Sequence, residues 1–161
     1  MKMKASLVRI ALAALAGAVA IFPTFAIAGQ DSFTGSRIEV QSGKSFEDVT
    51  DAIGKLVSKN GMMVMAEVDQ GKMLSMTGLQ LKAKLFLVGN PTVGKKLFEQ
   101  NHGVGLYVPL RIFVYNDANG KTFVAYDKPS SVLSQFDNAE VGMVAKMLDE
   151  KLDGLASMAA K

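Results

Sequence analysis

The run from Leu79 to Gly89 constrains this chain more than any other stretch. Its side chains alternate, and a period of two belongs to a strand rather than a helix. Leu79, Leu81, Ala83, Leu85 and Leu87 share one face. The opposite face begins with Gln80, Lys82 and Lys84 and ends with Phe86 and Val88. Such a strand is predicted to have a wet face along its first half and to be covered on both sides along its second. It therefore needs other strands beside it and helices over it.

The flanking segments supply both. Arg37 to Gln41 reads as a short strand. Ser45 opens a helix in which Phe46, Val49, Ile53, Leu56 and Val57 recur at helical spacing, a buried stripe. The Ser45 hydroxyl is placed to accept the Asp48 amide while the Asp48 carboxylate reaches back, and Asn60-Gly61 is a stop signal. Met62 to Asp69 alternates as a strand, with Met62, Val64, Ala66 and Val68 on one face and Met63, Met65, Glu67 and Asp69 on the other. Gly71 to Thr77 is a short helix or turn, and Pro91 to Gln100 is a helix with proline in its first turn. Leu110 to Asn116 and Lys121 to Tyr126 form a hairpin around Asp117-Ala118-Asn119-Gly120, where Gly120 supplies a positive φ. Ser130 to Phe136 is a short helix. Glu140 to Ala160 is a long amphipathic one, with Val141, Val144, Leu148, Leu152 and Leu155 inward. Long helices alternating with antiparallel strands give an α+β class: a curved antiparallel sheet with helices packed on one face.

The front of the chain carries a different signal. Lys2, Lys4 and Arg9 precede an apolar run from Ile10 to Phe22, Pro23 breaks it, and Ala26-Ile27-Ala28 has the small-x-small form of a signal-peptidase site. Residues 1–28 are thus expected to be a cleaved signal peptide, 29–36 a flexible lead-in and 37–161 a single α+β domain. A retained membrane anchor is the competing reading, since Ile10 to Ala28 approaches the ~20 residues a bilayer needs, but Pro23 and Thr24 spoil its far end. Export implies the periplasm or secretion, with no membrane attachment after cleavage. The chain has 18 basic and 15 acidic residues; three of the basic ones lie in the leader, so the remainder is formally neutral. The isoelectric point near 9.1 belongs largely to the leader and is no argument for nucleic acid as a partner. The chain has no cysteine, which removes disulfides, thiolate nucleophiles, iron–sulfur clusters and covalent haem attachment. With His102 as the single histidine, multi-histidine zinc sites are excluded as well.

Read as an ordered set, several short features carry a resemblance. Gly89-Asn90-Pro91 follows an apolar strand; Gly94 and Leu97 come next, then Val108-Pro109-Leu110-Arg111-Ile112, then Gly120-Lys121-Thr122-Phe123-Val124-Ala125-Tyr126 and Asp127-Lys128-Pro129, with Ser45-Phe46 upstream. This order resembles the domain of unknown function 302 family over most of Arg37 to Phe136. The resemblance implies an arrangement like that of the TATA-binding protein, without implying DNA binding, and it implies no reaction.

Candidate sites follow from the residues themselves. Gly89-Asn90-Pro91-Thr92-Val93-Gly94-Lys95-Lys96 nearly fits a phosphate loop, but Lys96 stands where a Mg²⁺-binding Ser or Thr belongs. The simpler reading is architectural: Gly89 makes a tight turn where a side chain would meet the incoming helix, and Asn90 caps that helix, a role Asp fills equally well. Met63 and Met65 share a strand face and Met73 and Met76 a helix face; with His102 they are the candidate ligands for a soft metal such as Cu(I), and His102 alone is a candidate haem ligand. Against that stands the ordinary use of Met as core filler, which is favoured here. Glu67 and Asp69 are a candidate acid/base pair. Arg111 and Tyr126, on adjacent hairpin strands, are placed to bind a small anion or carboxylate, or to pair with Glu67 across the sheet. The ligand-binding candidates are therefore Glu67, Asn90, Arg111 and Tyr126; no catalytic residue and no cofactor is assigned.

Three functions are consistent with these residues. The first is an exported, non-enzymatic binding or interaction domain with an apolar pocket between sheet and helices, its partner a small ligand, another protein or a second copy of itself. The second is a copper- or haem-handling protein. The third is a small-substrate enzyme built on Glu67, Arg111 and Tyr126. Export is checked directly: N-terminal sequencing of the protein from a fractionated cell is expected to start at Gly29, and Met1 retained in the membrane fraction would reverse that expectation.

Overall fold

The computed structural model describes residues 36–161; the stretch expected to be a signal peptide and nearly all of the expected lead-in lie outside the described residues. Five strands form one open antiparallel sheet: β1 (Arg37–Ser42), β2 (Met63–Asp69), β3 (Ala83–Gly89), β4 (Leu110–Asn116) and β5 (Thr122–Asp127), in the order β1-β5-β4-β3-β2. The helices are α1 (Phe46–Lys59), α2 (Gln70–Ser75), α3 (Pro91–Gln100), α4 (Pro129–Val132) and α5 (Ala139–Ala160), with a 3-10 turn at His102–Leu106.

Helix α1 starts as expected. The Ser45 hydroxyl accepts the Asp48 amide at 3.1 Å and donates to the Asp48 carboxylate at 2.7 Å. Its stripe buries Val49, Ile53 and Val57 completely. Helix α5 is capped by Asn138, whose side-chain oxygen accepts from Glu140 and Val141. It buries Val141, Ala145, Leu148, Leu152 and Leu155 against α1 and the sheet. From the sheet, Phe86, Val88, Leu110, Ile112, Val114, Val124 and Tyr126 join the same core. These residues alternate along β3, β4 and β5, so α1, α3 and α5 cover one face of the sheet and leave the other open.

Two expectations about β3 are corrected. The strand begins at Ala83, not Leu79. Its neighbours run out: Ala83 pairs with Tyr115 near the end of β4, and Lys84 with Asp69 at the end of β2. Leu79 and Leu81 have no strand to ladder with and stand exposed. Nor is its second half covered on both sides: the covered face is the one that begins with lysines. Lys82 bonds Glu47 of α1 at 2.7 Å and Lys84 bonds Glu67 at 3.3 Å, exposed pairs that keep the start of this face wet, as expected, at the rim of the helices. Phe86 and Val88 then enter the core, while Leu85 and Leu87 lie half-buried on the open face.

Strand β2 departs from simple alternation. Val64 pairs with Val88 but Ala66 pairs with Leu87, leaving Met65 as the extra residue of a bulge. One inserted residue moves every later side chain to the opposite face. Glu67 therefore sits across from Phe86 on the helix side, whereas Met63 sits across from Gly89 on the open side.

The sheet is tied to α5 by polar bonds. Ser42, buried on β1, donates to the Ala160 carbonyl at 2.8 Å, and the Ser130 amide donates to Asp149 at 2.9 Å. Tyr126 donates its hydroxyl to Asp153. Burial, that hydrogen bond and the negative charges of Asp153 and Asp149 all push the Tyr126 phenol upward from its usual value near 10. A phenol whose pKa is raised by folding contributes stability that is intact below the unfolded value and is lost as pH rises toward the folded one. Stability is thus expected to fall above about pH 10. Tyr126→Phe should cost about 1 kcal/mol at neutral pH and reduce the alkaline loss, as read by denaturant titrations at pH 7 and pH 11; an unchanged alkaline slope would mean that this phenol does not couple to folding.

Candidate functional site

The segment that ends β3 and opens α3 is held by one side chain bonded at both ends. Asn90 precedes proline, which holds it in an extended conformation (φ −132°, ψ 123°). From there its side-chain oxygen accepts the amides of Thr92 at 2.8 Å and Val93 at 3.2 Å, the expected helix cap. These are the amides a phosphate loop would offer to phosphate, and Asn90 occupies them. The other end of the Asn90 side chain donates to the Gly61 carbonyl at 2.6 Å. Asn90 thus fastens the start of α3 to the turn between α1 and β2, a link that spacing alone did not show.

Gly89 is tight for a different reason than expected. A Cβ there would meet the Met65 methyl group at 3.1 Å and Pro109 at 3.9 Å, not the incoming helix. Gly89 points to the open face because Val88, its neighbour, points to the helices. The bulge at Met65 brings the thioether over this glycine.

Beside this junction lies an apolar cleft of about 320 Å³. Val88 and Gly89 form one wall; Val108, cis-linked Pro109 and Leu110 form another; Met65 closes one end. From α3 come Pro91, Val93, Gly94, Leu97 and Phe98, with Leu148 of α5 behind. Lys95 is the one charged residue lining it, and its ammonium is 3.5 Å from Glu99 in an exposed pair. Gly105 leaves room for the Phe98 ring, which would lie 3.0 Å from a Cβ at that position.

Gly94 has no structural reason to be glycine. It sits inside α3, where glycine costs roughly 1 kcal/mol relative to alanine. Its φ is not positive, and nothing lies within 4 Å of where its Cβ would be. What that missing side chain leaves open is the cleft.

The four ligand-binding candidates do not converge. Tyr126 is 4% exposed, and its hydroxyl is used by α5. Arg111 pairs with Leu87 on the open face, so the two candidates lie on opposite sides of the sheet. Glu67 is on the helix side with Lys84, out of reach of Arg111. The carboxylate beside Tyr126 comes instead from Asp153, five residues past Leu148 on the outer flank of the α5 stripe. Asn90 alone lines the cleft. Arg111 lines a second, shallower depression of about 220 Å³ on the open face, with Arg37, Phe113, Asp127 and Tyr126; Tyr126 borders it while its hydroxyl is bonded to Asp153 on the helix side. Asp69 is spent as a cap, accepting the Lys72 amide at 2.8 Å.

The methionines are not core filler, which corrects the expectation. Met62 is buried, but Met63, Met65, Met73, Met76, Met143, Met147 and Met158 are all exposed. A sheet covered on one face has fewer interior positions than a two-sided one, and the α5 core positions go to Val, Ala and Leu. Nor do the four proposed ligands meet at one ion. Met63 and Met65 are at the start of β2, while Met73 and Met76 follow its end. Met65 to Asp69 alone spans about 13 Å of extended chain. His102 is exposed at the start of the 3-10 turn. Among the described residues no group of His, Asp and Glu side chains is disposed to hold a metal ion.

Comparison with known proteins gives three findings. The model of the family described as domain of unknown function DUF302 matches residues 38–159. A crystal structure of an uncharacterized conserved DUF302 protein from Bacillus stearothermophilus superposes with a TM-score of 0.71 at 17% identity, covering 78% of this chain and 98% of that one. It shares the fold. Among curated proteins, Fluoride-specific ion channel FluC 1 of Brucella suis biovar 1 (strain 1330) is 28% identical over 94 residues, 58% of this chain and 37% of the channel. Fluoride-specific ion channel FluC 2 of Brucella melitensis biotype 1 is likewise 28% identical over 94 residues, 35% of its length. The chain spans little more than a third of these channels.

The two-ended use of Asn90 makes a sharp prediction. Capping alone would make aspartate an equal substitute. With the Gly61 bond, Asn90→Asp sets a carboxylate against a carbonyl and is expected to destabilise, despite keeping the cap. Asn90→Ala loses both interactions, for about 1–3 kcal/mol in all. Urea unfolding of the two variants checks this: an aspartate variant as stable as the parent would show that the Gly61 contact contributes nothing.

Proposed function

The chain belongs to the DUF302 family, and from that premise we propose that it is a non-enzymatic binding domain, exported by its leader to the periplasm or beyond. Its site is the cleft at the β3–α3 junction. Its ligand is a small apolar molecule carrying one anionic group. The observation that carries the reading is the apolar cleft itself, which a cationic side chain borders and which Gly94 leaves open; Gly54, Gly142 and Gly154 are helix-interior glycines with equally empty Cβ positions, and of the four Gly94 lines the cleft.

The volume suits such a ligand. An apolar cavity of about 150 Å³ admits benzene, and binding clefts commonly start near 300 Å³. A lining of aliphatic residues and Phe98 supplies affinity by burial, and Lys95 supplies orientation at the mouth. Asn90 holds the walls in place and does not face the ligand with a free group, since both ends of its side chain are engaged. The exposed thioether of Met65 gives one end of the cleft an adaptable surface.

The relatives support a module rather than a reaction. Spanning a bilayer requires helices or a closed barrel, and no helix among the described residues is long and apolar enough to cross a membrane. The stretch shared with proteins named fluoride channels is on this reading an accessory part that accompanies their pore. A stretch that recurs within proteins of that name fits a recognition module better than a catalyst.

The test uses anilinonaphthalene sulfonate, an apolar body with one anionic group. The protein is expected to bind it saturably at one site. Gly94→Leu should abolish that binding with thermal stability equal or raised, because leucine favours the helix by up to about 1 kcal/mol. Lys95→Met should weaken it by about tenfold or less. Binding that survives Gly94→Leu would overturn the assignment.

A further inference from the structure

We infer that the open face of the sheet is the contact surface for a second copy of this chain. It carries Leu85, Leu87, Phe113, Tyr115, Phe123 and Ala125, of which only Ala125 is fully buried. Phe113, Tyr115 and Phe123 stack in a row with ring centroids 5.2 and 5.4 Å apart, and no helix among the described residues packs over them. A contiguous apolar patch of several hundred Å² is often a functional surface.

Its polar groups argue for a copy rather than a different partner. The charges on this face are Arg37, Glu39, Arg111 and Asp127, two of each sign, set in one corner. A face that meets itself across a two-fold axis can pair its charges only if it carries both signs, because each charge meets the same surface. A surface shaped for a charged partner would carry one sign. Most of these groups also satisfy one another already. Glu39 takes the Tyr115 hydroxyl at 2.8 Å and pairs with Arg37 at 3.3 Å, so covering them strands no unpaired group. Tyr115 stays neutral, its pKa pushed up to about 12 by burial and by Glu39. Arg111 has no ion-pair partner among the described residues. It stands next to Asp127 in the shallow depression and is free to meet a carboxylate of the second copy.

The area is sufficient. Five strands spaced about 4.8 Å apart, each about 20 Å long, give a flat footprint of roughly 500 Å² per copy before side-chain relief is counted. Two copies then remove about 1,000 Å² or more from water, the range in which specific interfaces begin. Two twisted sheets packing face to face at about 10 Å is a standard arrangement of layers.

Sedimentation equilibrium of the purified protein decides the matter. A dimer is expected at about 100 µM, well above a micromolar dissociation constant. Arg111→Glu, a change at an exposed position, should weaken it at least tenfold with the circular dichroism spectrum of the folded protein unchanged. Leu87→Lys should do the same through the apolar part of the face. A monomer at that concentration overturns the inference, whether or not it binds phosphatidylcholine vesicles. So does a dimer whose dissociation constant neither substitution moves, since it would form through another surface.

Discussion

The pairing of β3 with both of its neighbours is the constraint on which the rest of this structure depends. Held between β2 and β4, it sends Phe86 and Val88 to the helices and Leu85 and Leu87 to the open side. That choice places the core, leaves an apolar face without helices, and ends the strand at Gly89, where Met65 and Pro109 crowd the backbone. The point where the strand ends fixes where α3 begins, and so where the cleft lies.

The cleft and the core are built by different means. The core is held by burial of residues from α1, α5 and three central strands, many of them fully enclosed. The cleft is held open by side chains that are short or absent, Gly89 and Gly94, and by a polar clasp, Asn90, that joins two turns distant in sequence. A fold that gives up helix propensity at Gly94 has traded a little stability for empty space.

Local chemistry was legible in the sequence wherever a feature is set by a few neighbouring residues. The Ser45 cap, the Gly120 turn with its φ of +77°, and the Asn90 cap all follow from short-range rules. The antiparallel α+β class followed from periodicity. What could not be read was set by inserted or distant residues. The bulge at Met65 reverses the faces of Glu67 and Asp69, and alternation carries no mark of it. Which side of β3 meets helices is decided by distant elements, and its second half is apolar on both faces. The Asn90–Gly61 and Tyr126–Asp153 bonds span 29 and 27 positions, a separation that no spacing rule covers. Glu67, Arg111 and Tyr126 fell apart as a site for this reason, since residues on adjacent strands share a face only if their registers agree.

The bulge has one more consequence, for how the chain survives at high concentration. A sheet with two free edges is a template on which other chains can add strands without limit, the first step toward a fibril. Here β1 lines its edge with Arg37 and Glu39, and β2 interrupts its edge at Met65, where the ladder of backbone groups loses its regular spacing. Neither margin offers a long flat row of donors and acceptors. Growth strand by strand is thereby discouraged at both margins, and association is steered toward the broad face, where it closes on itself at two.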